Sequence, residues 1–255
     1  MLLMKANLSR TTLNLAVAGL MLAGLTASAQ MPGAGAAGGI GASLTRLFGQ
    51  NKAFTARVDV QVLDASQQEL ASVPMEFSFL DDKTRMEMDL TKMKNKQMPP
   101  GMADSLKQMG MAQFVNIIRP DKKLVYAMYP NLKIALSQPL PKADAVDKAP
   151  KVEKTELGKE TVDGHPCVKN KNVFTDEQGK KIEATTWNAT DLKDFPVQIQ
   201  TKDNDTTSFL RFKQVQLTKP DEKLFDPPAD YTQYTDQAAM QEAVMKKMME
   251  GAAKK

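Results

Sequence analysis

The chain has 255 residues, 42% of them apolar and 25% charged, with a formal net charge of +4. That is enough apolar material for one well-buried core, and the lysines alternate with Asp and Glu throughout, so charge gives no reason to expect a nucleic-acid partner. A single cysteine, Cys167, excludes an intrachain disulfide scaffold, and a single histidine, His165, leaves few nitrogen ligands for a metal.

Lys5 and Arg10 precede an apolar run from Leu13 to Leu25 that ends in Ala27-Ser28-Ala29. A charged start, a short apolar stretch and small residues before a cut are the pattern of a secretory signal peptide, residues 1–29. The run is too short to span a bilayer stably. Gln30 rather than Cys follows the cut, so the expected product is a periplasmic protein that is not a diacylated lipoprotein and carries no later transmembrane segment. Residues 30–41 are rich in Gly and Ala and read as a flexible tether. A single domain is expected over 42–234, and a Met-rich amphipathic helix with a basic tail over 235–255.

Leu44, Leu47 and Phe48, followed by Gly49, predict a short helix. From Phe54 the period becomes two: Phe54, Ala56, Val58, Val60 and Val62 alternate with polar residues, and so do Val73, Met75, Phe77 and Phe79, then Met86, Met88 and Leu90. Met98-Pro99-Pro100-Gly101 interrupts this meander, and Met102, Leu106 and Met109 predict a short helix ended by Gly110. Strands are expected again at Phe114–Ile118, Leu124–Tyr129 and Leu132–Leu136, joined by tight turns at Arg119-Pro120-Asp121 and Pro130-Asn131. Pro139, Pro141 and Pro150 bracket an expected loop. Further strands are expected at Val152–Lys159, Cys167–Phe174, Ile182–Trp187, Phe195–Ile199 and Ser208–Leu217. About ten or eleven strands are many for a flat sheet and imply strong curling or partial closure. In the last segment Met240, Val244 and Met248 share a helical stripe with Met245 and Met249 beside it, Asp236 being the expected N-cap and Gly251 the expected stop.

Motifs that carry chemistry are few. There is no Gly-x-Ser-x-Gly elbow, no His-Glu-x-x-His helix, no phosphate loop and no Cys-x-x-Cys. His165 and Cys167 lie two apart where a hairpin begins, and one of each cannot complete a metal site without further ligands. The expectation is therefore a protein that is not an enzyme and needs no cofactor. Methionine is in excess, with 17 in the chain. Unbranched thioethers suit a packing face or a surface that adapts to variable apolar partners, and they also bind Cu(I).

Several segments resemble known families. Leu44-Thr45-Arg46-Leu47-Phe48 running into Phe54-Thr55-Ala56-Arg57 is similar to the opening of the LolA/LolB-like outer-membrane lipoprotein carriers. Ile117-Ile118-Arg119-Pro120-Asp121-Lys122-Lys123, Glu160-Thr161-Val162-Asp163-Gly164-His165-Pro166-Cys167, Thr186-Trp187-Asn188-Ala189 and Leu224-Phe225-Asp226-Pro227-Pro228-Ala229-Asp230-Tyr231 resemble a secreted bacterial domain-of-unknown-function family of the same structural group. The resemblance covers roughly Ala53 to Tyr234. It implies an α+β fold: an incomplete, strongly curved antiparallel β-barrel with helices covering the concave face and an apolar cavity between them, which in the carriers takes acyl chains. None of the carriers' functional residues can be placed individually on this chain.

The expected function is non-catalytic binding of an apolar ligand, a lipid or lipoprotein acyl chain, by a monomer, with an envelope protein as a further candidate partner. The candidate cavity residues are Phe77, Phe79, Met86, Met88, Met102, Leu106, Met109 and Trp187. Two alternatives are a copper-handling protein, with His165, Cys167, Met245 and Met248 as ligands, and an interaction module that docks a partner through its C-terminal helix.

Overall fold

The computed structural model describes residues 45–96, 98–140, 151–175, 181–203 and 205–252. The signal peptide, the tether, Leu44 and most of the proline-bracketed loop lie outside the described residues.

The alternating segments form strands with the expected faces. They are β1 (Ala53–Leu63), β2 (Glu69–Leu80), β3 (Lys83–Asp89), β4 (Lys94–Asn95), β5 (Gln113–Arg119), β6 (Leu124–Tyr129), β7 (Ile134–Pro139), β8 (Lys151–Val162), β9 (His165–Thr175), β10 (Lys181–Ala189), β11 (Phe195–Asp203), β12 (Thr206–Gln216) and β13 (Thr232–Tyr234). Two α-helices are described, α1 (Met102–Gln108) and α2 (Gln237–Ala252). None is long and apolar enough to cross a membrane among the described residues.

All strands belong to one 13-stranded curved sheet in the order β13-β7-β6-β5-β3-β2-β1-β12-β11-β10-β9-β8, with β4 added to β2. The count therefore exceeds the expected ten or eleven, and β8 and β13 remain free edges, so the sheet is open rather than a closed barrel. The two additional strands were invisible to alternation because β4 has two residues and β13 three. β13 runs parallel to β7, pairing Thr232 with Ile134 and Tyr234 with Leu136; every other pairing in the sheet is antiparallel.

The hairpin chemistry is local. Asp81 and Asp82 take the left-handed conformation between β2 and β3, as do Asp163 and Gly164 between β8 and β9. Three other reversals, at 120–122, 130–132 and 190–192, are single 3-10 turns followed by a left-handed lysine, Lys123, Lys133 or Lys193. Proline opens the first two, where its missing N–H costs nothing.

Three apolar clusters hold the fold. The largest lies on the face that carries Phe54, Ala56, Val58 and Val60 of β1 and Phe77 and Phe79 of β2. Phe48, on the 3-10 turn Arg46–Phe48, inserts among them with ring centroids 4.8 Å from Phe54, 5.2 Å from Phe79 and 5.6 Å from Phe212. The second cluster joins Leu106, Met109 and Met111 at α1 to Tyr129, Ile134 and Leu136 of β6 and β7 and to Met240 and Val244 of α2. The third covers the opposite sheet face, where Val115, Ile117, Tyr126 and Met128 receive Phe225.

The short helix after Gly101 and the C-terminal helix form where expected, and Asp236 accepts from the backbone N–H of Ala239 at 2.8 Å as its cap. The expected stop at Gly251 does not hold, because α2 continues through it to Ala252. In place of the expected short helix the described residues form a single 3-10 turn over Arg46–Phe48, ended as expected by Gly49 at φ 59°.

Candidate functional site

The candidate cavity residues fall into two groups. Phe77, Phe79, Met86, Met88 and Trp187 belong to the largest cluster and are buried in it. Leu106 and Met109 are buried in the second, with Met102 half-buried against them. Trp187 also has a polar side: its Nε1 donates to Glu160, and Lys169 Nζ stands 4.8 Å from its ring centroid.

The two groups meet at a seam. Leu90 and Phe114, both partly buried, pack on both clusters. Met93 packs on the largest cluster and Met102 on the second. Met93 and Met102 also line one depression of about 450 Å³, together with Leu70, Met98 and Pro99 and with Glu69, Lys94 and Lys96 as its charged groups.

Local hydrogen bonding builds the depression. Asp89 ends β3 by accepting from the N–H and the hydroxyl of Thr91, at 3.0 and 2.6 Å, which starts the turn Leu90–Lys92. The chain then returns along β2, pairing Lys94 with Ser72 and Asn95 with Ala71, and the Lys96 N–H donates to the Leu70 carbonyl at 3.0 Å. Gly101, left-handed at φ 80°, redirects the backbone into α1. At the far end of α1 the Leu90 N–H donates to the Ala112 carbonyl at 2.8 Å, so helix and turn close on one another.

Charge at the rim is unequal. Glu69 accepts from Gln61 Nε2 at 2.7 Å and from Ser72 Oγ at 2.8 Å, one donor on each oxygen. These bonds, Gln61 first, hold its carboxyl below the usual range, and Lys94 and Lys96 add to the effect. Lys96 Nζ donates to the neutral Gln68 Oε1 at 3.2 Å.

Met102 was expected in the cavity, whereas Met93, Met98, Leu70, Lys94 and Lys96, which line the same depression, were not. The signal was weak, since β4 is too short to show a period and its pairing with β2 is a tertiary fact.

Three of the four side chains of the alternative copper set lie among the described residues. His165 Nδ1 lies 2.8 Å from Asp191 Oδ2, and Cys167 Sγ donates to the His165 carbonyl at 3.3 Å. Cys167 is buried in the largest cluster, and that burial pushes its thiol pKa up, away from the thiolate a metal needs. Met245 packs on the second cluster instead, and the side chain of Met248 lies outside the described residues. Among the described residues no group of three His, Cys, Asp or Glu side chains is placed to hold a metal ion. Met240 and Val244, the core of the expected partner-docking stripe, are turned inward onto β7.

One buried polar ladder crosses β9 and β10. Asn172 Nδ2 donates to Thr186 Oγ1 at 3.0 Å, Thr186 Oγ1 to Asn188 Oδ1 at 2.7 Å, and Asn170 Nδ2 to the same Asn188 oxygen at 3.1 Å. Asn188 Nδ2 passes the chain on to the Asp194 carbonyl at 2.8 Å. These groups satisfy one another, which is what allows three asparagines to sit inside the sheet.

No family model and no curated protein sequence matches the chain. Solved structures of similar shape do exist. A LolA superfamily protein from Nitrosomonas europaea is 11% identical over 74% of this chain and 97% of its own, with a TM-score of 0.37. LprF from Mycobacterium bovis is 13% identical over 74% and 94%, with a TM-score of 0.38. MucB in the MucA/MucB complex of Pseudomonas aeruginosa has a TM-score of 0.39 at 12% identity, covering 76% of this chain and 64% of the matched one.

Proposed function

We propose that the protein binds an apolar chain, a lipid or a lipoprotein acyl chain, without catalysis, and that the chain enters at the depression between β2, β4 and α1. The observation that carries this reading is the seam: Met93 and Met102 line one opening while each packs on a different cluster. Two clusters joined through half-buried residues part more readily than one continuous core, because fewer close contacts are lost at the joint. Methionine suits such a joint, since its flexible thioether refills irregular space and adapts to different partners.

A depression of about 450 Å³ is also within the range of small-molecule sites. As the clusters part, the chain would reach Phe77, Phe79, Met86, Met88 and Trp187 on the sheet side and Leu106 and Met109 on the helical side. The leader read at residues 1–29 puts this activity in the periplasm, where a monomer carrying such a ligand would hand it to or receive it from an envelope protein.

Delipidated protein titrated with a fluorescent fatty acid tests the reading. Saturable binding with about one probe per chain is expected, weakened at least several-fold by Met93→Glu, which puts a charge at the apolar wall. A folded protein that takes up no probe contradicts it.

A further inference from the structure

We propose that the depression selects ligands with an anionic head group, held by Lys94 and Lys96 while the apolar tail enters between the methionines. This rests on the reading of the depression as the entrance for an apolar chain. Lys94 and Lys96 are exposed and line the same depression, on β4 and the turn that follows it. The apolar lining begins directly beside them, at Met93 and Met98.

The remaining charges at the depression do not cancel the pair. Glu69 is the one carboxylate in the lining, and both its oxygens are occupied by the neutral donors Gln61 and Ser72. Lys96 contacts the neutral Gln68 and also acts on Asp64, which lies outside the lining, and neither ammonium forms an ion pair among the described residues. Lys92, by contrast, has Asp89 at 3.6 Å and is already compensated. Asp104, in the first turn of α1, lies outside the lining. Glu69 stays ionised and itself interacts with both lysines, so two ammonium groups against one carboxylate leave a single net positive charge at the mouth of an apolar opening. That pairing fits an amphiphile with a phosphate or carboxylate head better than one with a neutral head.

The test compares dodecyl phosphate, dodecyl maltoside and inorganic phosphate by calorimetry, each amphiphile below its micellar threshold. Dodecyl phosphate should bind on the order of tenfold tighter than dodecyl maltoside, the size expected of two partly exposed charge contacts. Inorganic phosphate alone should bind far more weakly than either. The preference should collapse towards unity in K94Q/K96Q and shrink at high salt, while K159Q/K202Q, which removes two charges elsewhere, should retain it. Equal binding of the two amphiphiles would overturn the head-group inference and leave the apolar reading standing, whereas binding of neither would remove both. A preference that survives in K94Q/K96Q, or inorganic phosphate binding as tightly as dodecyl phosphate, would also overturn it.

Discussion

Arg119 clamps Phe225 to the sheet: its Nη1 donates to the Phe225 carbonyl at 3.1 Å and stands 2.7 Å from Asp226 Oδ1. The same guanidinium holds Asp121 through two bonds, Nε at 2.9 Å and Nη2 at 2.8 Å, and Lys122 reaches Asp226 at 2.6 Å. The Phe225 ring, fully buried, closes the third cluster on the face opposite the candidate site. The sheet around β5 and β6 is therefore covered on both faces, which gives the seam one rigid side.

Replacing Arg119 with Leu should cost about 2 kcal/mol, because Asp121, Asp226 and the Phe225 carbonyl lose a charged donor together. Urea unfolding should show a lower midpoint with an unchanged slope. The pH dependence follows from Asp121, whose carboxyl is held at about 2 chiefly by its bonds to Arg119. Burial opposes the same effect at Asp226, but Lys122 and Arg119 outweigh it and its carboxyl also lies below the usual range. A carboxylate lowered by folding adds stability above its unfolded pKa, near 4, and that part is lost as pH falls towards 2. The wild type should lose stability over this window, and Arg119→Leu should lose less of it there.

Phe48 stands on a three-residue turn outside the sheet yet reaches five other phenylalanine rings. Phe48→Ala should destabilise by about 3–5 kcal/mol, since the site is closed by rings from β1, β2, β11 and β12 that cannot collapse inward together. A thermal melt that shifts by only a degree or two would show that this turn is not part of the core.

Thr186 both accepts from Asn172 and donates to Asn188. Thr186→Val keeps the volume but leaves one amide without its acceptor and one amide oxygen short of a donor. A loss of about 1–3 kcal/mol is expected, measured by chemical denaturation.

Oxidation links the site to its exposure. Met93, Met98 and Met102 are half-buried at the depression, while Met75, Met86, Met128 and Met240 are buried. Dilute peroxide should convert the first three to sulfoxides ahead of the others, read by peptide mass spectrometry. Fluorescent fatty acid binding should fall in step, because a sulfoxide makes the apolar wall polar.

The alternation of Phe54, Ala56, Val58 and Val60 was enough to read β1 and its buried face, and the same period located the other long strands. What periodicity missed has physical causes. β5 and β6 were expected from the turns that bound them, but they bury both faces, Val115 and Ile117 under Phe225 and Phe114 between the other two clusters, so alternation did not assign their sides. β13 is read only from its parallel pairing with β7, which depends on where the chain returns after Phe225. The candidate site was half legible: Met98 and Met102 stood out by composition, but Met93, Lys94 and Lys96 join them only because β4 folds back on β2. The segments Arg119-Pro120-Asp121 and Leu224-Phe225-Asp226 were visible as family-like motifs, and the structure supplies their physical role as the two halves of one clamp.

On the proposed function an apolar chain enters at the depression lined by Met93 and Met102. Photoaffinity labelling of the delipidated protein with a diazirine-bearing fatty acid, mapped by peptide mass spectrometry, tests it most directly. Adducts should concentrate on Leu70, Met93, Met98 and Met102 and be displaced by excess unlabelled fatty acid. Adducts scattered over the outer surface, or confined to the face covered by Phe225, would contradict it.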